Sequence, residues 1–502
     1  MSIKLNVVAN YAGIAFQTLI SFAFVPVYIK FLGIEAYGLI GFYTILQASM
    51  QILEFGLRPT LGREMGLFKG GGRSAEFIRN LLRSIEILWL FVGLIITSLM
   101  LATAPWLARH WVGENSMAPE TISKAIQMMG VVISLKSLES MYSSTIFGLQ
   151  RQVAGNALAV GLSAIRAFGA VGVLTLFSAD IVSFFIWQGT VSIVSALTLR
   201  AVAWRFLPQT NTSARFSLQT LSSIKSFALG IAGTSVVVFL LMQTDKILLS
   251  KILTLKEFAH YSLAVMMANA LFMVGQPVVT AIYPRLAQLF GGKDHSLLAY
   301  TFHKGAQLLT VLVGSAAAVL FFYATAIVGL WTHDPEVASH TGAILSVLAL
   351  GGLLNVLNWM PYQIQLASGW TSLALAANSI SLIVLIPAIL YIAPRYGGYG
   401  TAWVWVVLNF TNLIVCFAIM FHRLLREEKW SWIVKDTFIP LLSSFSIAAL
   451  FTNITISSLT YAYQVVFLLI VSLFTLASAV MVTYYVRVNT VNLLKRLIPI
   501  MR

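Results

Sequence analysis

Two long stretches of this chain, Val337–Pro394 and Thr437–Val486, contain no lysine, arginine, aspartate or glutamate. Each is long enough for two helices of the ~20 residues that cross a hydrocarbon core ~30 Å thick. In lipid every backbone polar group must be satisfied internally, which leaves spanning helices or a closed barrel. The apolar runs are continuous and do not alternate in ~10-residue segments, so the barrel is excluded. Composition agrees: 59% of the 502 residues are hydrophobic and 10% are charged, against ~25% charged in a soluble domain. The expected fold is all-α and polytopic.

Fourteen spans are expected, over 6–29, 38–56, 85–108, 122–148, 155–177, 181–203, 224–249, 258–284, 305–331, 337–366, 370–393, 399–421, 437–457 and 462–486. The first reads as a span and not as a cleaved leader, since it has no short apolar region followed by a small-residue cleavage site. With the N-terminus inside, 23 of the 32 Lys and Arg fall on inner segments and 7 on outer ones, leaving Lys136 and Arg166 mid-span. That asymmetry predicts cytoplasmic N- and C-termini. It also accounts for the net charge of +15 without nucleic acid as a partner, because no compact basic-aromatic patch exists. In the inner segment 57–84, Phe77, Leu81 and Leu82 lie beside Arg79 and Arg83. Residues 74–84 therefore read either as an interfacial helix or as an anchored turn.

The chain repeats itself at an offset of 222. Arg63, Leu67, Phe68 and Gly70 reappear as Arg285, Leu289, Phe290 and Gly292, while Gln47 and Glu54 meet Asn269 and Gln276. The offset covers six spans, an even number, so the halves share one orientation about an axis along the membrane normal. The expected division is residues 1–215 and 216–425 as two six-helix bundles, with 426–502 holding two additional spans and a cytoplasmic tail.

Polar residues inside the spans carry the functional signal. Asn6, Asn10, Gly13, Gln17 and Ser21 share one helical face of the first span; Gln47, Gln51, Glu54 and Arg58 share one face of the second. Such faces must look at protein or water, and two consecutive stripes point to a cavity more than to isolated inter-helix hydrogen bonds. Arg166 and Lys136 are the candidate anion-binding groups. Glu139, three residues from Lys136, is a possible structural partner for either cation, and Glu54 for Arg166. In the second half Asn269, Gln276, Asn355 and Tyr362 are candidate cavity residues, and Asp245 is a candidate for a coupling ion or a structural pair. Asn358 and Gln365 extend the Asn355 face, with Pro361 allowing a bend. No catalytic constellation is expected: the seven His lack metal-ligand spacing, Gly70-Gly71-Gly72 has no following Lys-Ser/Thr, and Cys416 is alone. No metal and no cofactor are predicted.

The segment from Tyr28 to Leu39, with Tyr28, Leu32-Gly33 and Tyr37-Gly38, resembles the first hairpin of the polysaccharide and O-antigen flippases. Gly56 through Arg63, with the basic loop after it, is similar to the same family, and Gln243 through Ile247 and Phe258 through Tyr261 echo it in the second half, with His260 where a glycine is common. The resemblance implies the multidrug/oligosaccharidyl-lipid/polysaccharide exporter superfamily, with two six-helix bundles around a central cavity. It implies a flippase that carries undecaprenyl-pyrophosphate-linked oligosaccharide from the cytoplasmic to the periplasmic leaflet of a bacterial inner membrane. Fourteen spans also fit the lipid II flippase branch. The implied partners are the lipid-linked substrate, membrane lipid, and the glycosyltransferases and glycan polymerase of the same pathway. A cation-coupled drug exporter is the first rival, disfavoured by the positive mid-membrane charge. A membrane glycan polymerase or ligase is the second, disfavoured by short outer loops.

Overall fold

The computed structural model describes residues 3–54, 57–69, 72–110, 117–149, 151–291, 295–368, 370, 372–454 and 460–488. Among them the ordered elements are helical and no strand occurs. The helices are α1 (Ile3–Leu32), α2 (Ile34–Glu54), α3 (Leu57–Lys69), α4 (Ala75–His110), α5 (Pro119–Gly148), α6 (Gln152–Leu176), α7 (Ile181–Phe206), α8 (Leu218–Ile252) and α9 (Leu255–Ala268). They continue with α10 (Ala270–Gly291), α11 (His295–Thr332), α12 (Pro335–Leu357), α13 (Trp359–Ala367) and α14 (Ser372–Leu424). A short α15 (Lys429–Ser431), a π-helical turn (Trp432–Phe438), α16 (Ile439–Leu450) and α17 (Tyr461–Val482) complete the order. Ten stretches of described helix are long and apolar enough to cross a membrane. One of them, α14, is two legs that reverse at Gly397. The described residues of the fourteen expected spans are almost all helical, with single breaks such as Asn269, and residues 55–56, 371 and 455–457 lie outside the described residues. The chain is a multi-pass α-helical membrane protein.

Backbone contacts group the chain into two compact units, Met1–Ala259 and His260–Arg502. In the first, α5 packs against α4 and α7, α1 against α6, and α2 against α8. Its core holds Leu61, Met65, Ile78, Leu81, Leu82, Ile85, Trp89 and Ile146. Leu81 and Leu82 are fully buried there, and residues 75–84 are simply the first turns of α4. That segment is thus neither an interfacial helix nor a turn, because its apolar face is covered by protein. In the second unit, α11 packs against α10, α12, α16 and α17, and α12 against α14. Phe68 packs on the first core and its repeat counterpart Phe290 on the second.

Local chemistry explains the helix ends. Gly33 ends α1 with φ of 82°, the left-handed position that favours glycine, and its N–H donates to Ile29 O at 2.8 Å. At Gly38 a Cβ would stand 2.4 Å from the Leu255 carbonyl oxygen, so that contact admits no side chain. Thr254 and Glu257 form a reciprocal capping box at the start of α9. Asp180 caps α7, accepting from the N–H groups of Val182 and Ser183, each at 2.9 Å, and from the hydroxyls of Ser178 and Ser183. Partial burial pushes its carboxyl up, but these hydrogen bonds outweigh that and hold it below the usual carboxylate range. Asp180→Ala is expected to cost ~1 kcal/mol, read as a lower unfolding temperature. Since the folded pKa is depressed, the cap's contribution is present above the ordinary Asp pKa and disappears as pH falls through the depressed value.

The last helices are fastened to α11 by a polar cluster. His303 Nε2 lies 2.8 Å from Glu428 Oε2, and His303 Nδ1 meets Asp436 on the π-helical turn. Gln307 Nε2 donates to Asp436 Oδ1 at 2.9 Å, while Gln307 Oε1 accepts from the Tyr485 N–H at 2.9 Å. Asp436 is 1% exposed. The widened π-helical turn places its carboxylate between these two partners from α11.

Candidate functional site

The first unit contains a cavity of about 590 Å³. Its walls come from α1, α2, the start of α3, α5, α6 and the far part of α7. The helical repeat puts Lys136, Ser137, Glu139, Ser140 and Ser143 of α5 toward it, and Gln152, Asn156, Ser163 and Arg166 of α6. Gln17 of α1, Gln47 of α2 and Arg58 of α3 complete the polar lining. The formal charge is three cations against the single carboxylate of Glu139. In a medium of low dielectric such an excess attracts anions more strongly than it would in water.

Arg166 is the best-braced of the cations. Its Nη2 donates to Glu139 Oε1 at 3.0 Å and Oε2 at 3.4 Å. Its Nη1 donates to Ser192 Oγ at 3.0 Å and to Gln188 Oε1 at 3.2 Å, both on α7. Trp187 Nε1 donates to the Arg166 carbonyl at 3.1 Å, which fixes the backbone behind the guanidinium. The side chain remains 16% exposed, toward the cavity. Lys136 Nζ stands 3.9 Å from Glu139 Oε2 and is more open, at 28%. Glu139 thus bridges both cations, so the cavity and the ion pair coexist at one place. The amide neighbours are held locally: Gln17 Nε2 donates to Gly13 O at 3.1 Å, and Asn156 Nδ2 to Gln152 O at 2.9 Å. Gly13 belongs to packing, since a Cβ there would lie 2.6 Å from Asn156 Oδ1.

The structure therefore brings Gln17, Gln47, Arg58, Lys136 and Arg166 to one cavity. Asn10, Gln51 and Glu54 fall outside the residues whose side chains are described. Asp245 is half-buried in α8 and does not line this cavity. The remaining candidates belong to the second unit. Asn269 marks the break between α9 and α10 and is exposed, as is Gln276. Asn355 Nδ2 donates to Asn409 Oδ1 at 2.8 Å and its Oδ1 accepts from Trp359 Nε1 at 3.1 Å, which joins α12, α13 and α14. Tyr362 is 39% exposed on α13. Sequence reasoning missed Gln188 and Ser192, although their i, i+4 spacing on α7 marks a polar face. It also missed the serine face of α5. Among the described residues no group of three or more His, Cys, Asp or Glu could hold a metal.

A family model described as "Polysaccharide biosynthesis protein" matches residues 3–290, and one described as MatE matches residues 230–392. A Shigella flexneri protein named "Putative O-antigen transporter" is 21% identical over 416 residues, covering 81% of this chain and 95% of its own length. The fold is similar to that of the lipid II flippase MurJ in an inward closed conformation, with a TM-score of 0.69 at 14% identity over 94% of this chain and 98% of the other. It is also similar to an inward-facing multidrug resistance MATE family transporter, with a TM-score of 0.62 at 17% identity over 83% and 95% of the two chains.

Proposed function

Because the chain belongs to the polysaccharide biosynthesis protein family of membrane transporters, we propose that it flips a pyrophosphate-linked, polyprenyl-anchored oligosaccharide from the cytoplasmic to the periplasmic leaflet of a bacterial inner membrane. The observation that carries this reading is the cavity in which Arg166, Lys136 and Arg58 outnumber Glu139 among amides and hydroxyls. Arginine presents a planar fork of donors that suits phosphate. Amides and serines suit sugar hydroxyls. The polyprenyl tail stays in lipid, where its transfer into water would be costly. The 222-residue repeat supports residues 1–215 and 216–425 as the two bundles that alternate access, with 426–502 as the accessory pair. The 23-to-7 distribution of basic residues supports cytoplasmic termini. The similarity to an O-antigen transporter supports the substrate class.

Deleting the gene tests the proposal. The expected result is loss of surface glycan with lipid-linked oligosaccharide accumulating on the inner leaflet, both reversed by the wild-type gene. Unchanged surface glycan alongside heightened drug sensitivity would instead favour a drug exporter.

Glu139 competes with a substrate phosphate for Arg166 in this reading. Glu139→Gln removes the resident negative charge and keeps the shape. A charge-assisted hydrogen bond is worth ~1.5–3 kcal/mol, so the variant should bind a soluble pyrophosphate-bearing analogue about tenfold more tightly by calorimetry. Weaker binding would mean that Glu139 positions Arg166 and does not compete for it.

A further inference from the structure

The two legs of α14 form a hairpin that is pinned at both ends and parted between. At one end the chain reverses at Gly397, with φ of 58°, a conformation that suits glycine. At the other, Asn412 Nδ2 donates to Ser381 Oγ at 2.8 Å, one leg to the other. Between the pins lies a groove of about 480 Å³. Val384, Ala388 and Ile392 line one leg, and Trp403 and Val407 the other. None of its lining residues is charged.

The groove has the dimensions and chemistry of one bilayer leaflet. From Gly398 to Thr411 the second leg rises about 20 Å at 1.5 Å per residue. Half of a bilayer, headgroups included, is ~20–22 Å. Tyr396 and Tyr399 close the Gly397 end, both exposed, as aromatic residues do at the membrane–water interface. Beside them Arg395 is exposed, its guanidinium 4.0 Å from the Tyr391 ring centroid. Its Nη1 donates to the Tyr391 carbonyl at 2.9 Å, which uses one of five guanidinium donors. An exposed cation, next in sequence to the groove-lining Tyr396, therefore stands at the Gly397 end of an apolar slot that closes at a polar pair about one leaflet's length away.

We propose that this hairpin is a binding site for one membrane phospholipid, with an acyl chain between the legs and its phosphate at Arg395. Hydrocarbon is the filling that an uncharged slot at this depth accepts without cost. The charge at its mouth selects an amphiphile with a phosphate over a neutral lipid. The seated chain holds the legs apart between their two pins.

Native mass spectrometry of the full-length protein with phosphatidylglycerol tests this. One lipid should survive activation that strips the others. Ala388→Trp, which fills the slot, should lose it, and Arg395→Gln should retain it about tenfold less, the worth of one charge-assisted hydrogen bond. Phosphatidylglycerol brominated along its acyl chain should also quench tryptophan emission, and Trp403→Phe should remove that quenched component. The quenching measurement decides alone if Ala388→Trp does not fold. The proposal is overturned if folded Ala388→Trp keeps the lipid, or if Trp403→Phe leaves quenching unchanged. Displacement of phosphatidylglycerol by equimolar polyprenyl phosphate, or a dimer that Ala388→Trp abolishes, would also overturn it.

Discussion

Arg166→Ala should lower surface glycan about ten- to hundredfold in cells where the wild-type gene restores it, the loss expected from one charge-assisted hydrogen bond of ~1.5–3 kcal/mol. The physical reason is specific to this residue. Arg166 is held by Gln188 and Ser192 and backed by Trp187, so its fork is already oriented when an anion displaces Glu139. Little side-chain entropy is then lost on binding. Arg166→Lys keeps the charge but not the two-pronged geometry, and should fall between wild type and alanine. Protein levels must be matched, because Arg166→Ala leaves Glu139 with Lys136 alone, 3.9 Å away. Undiminished glycan at equal expression would remove Arg166 from transport.

His303→Ala should lower the stability of the folded protein by ~3–5 kcal/mol, the cost of stripping one partner from a buried pair. It would leave Asp436, 1% exposed, with Gln307 and without the imidazole that also reaches Glu428. The readout is a fall in the unfolding temperature of the purified protein. Combining His303→Ala with Asp436→Ala should recover part of the loss, since the double variant no longer buries an unpaired carboxylate. A simple sum of the two single effects would show that the residues do not act as a pair.

The two cases show what a sequence discloses in a membrane protein. Arg166 and Lys136 stood out because a cation inside an apolar span costs ~2.5–3.5 kcal/mol on insertion scales, and while Glu139 offsets Lys136, nothing within its own span offsets Arg166. The spans were legible for the same reason, even where Gly397 folds one continuous helical segment into two legs. Gln188 and Ser192 were not singled out because Gln188 is the lone amide of its span, without the run of amides that marked the first two. Their role depends on a neighbour 22 or 26 residues away. The π-helical turn at Trp432–Phe438 was equally hidden. It has no signature of its own, and its carboxylate is matched by residues on α11, far back in the chain. Asn355 shows the reverse limit. An amide within a span reads the same whether it meets a sugar or, as here, Asn409 and Trp359.

Transport by this route requires a chamber around Arg166 that water and anions enter and that favours negative charge. Cys416 is the sole cysteine, so Ser163→Cys on a Cys416→Ser background puts one reporter thiol on the cavity wall. Membranes bearing this variant would be treated with matched anionic and cationic methanethiosulfonate reagents. The anionic reagent should react faster, and excess pyrophosphate should slow it. A thiol that neither reagent reaches from either side of the membrane, or that the cationic one modifies faster, would rule out such a chamber.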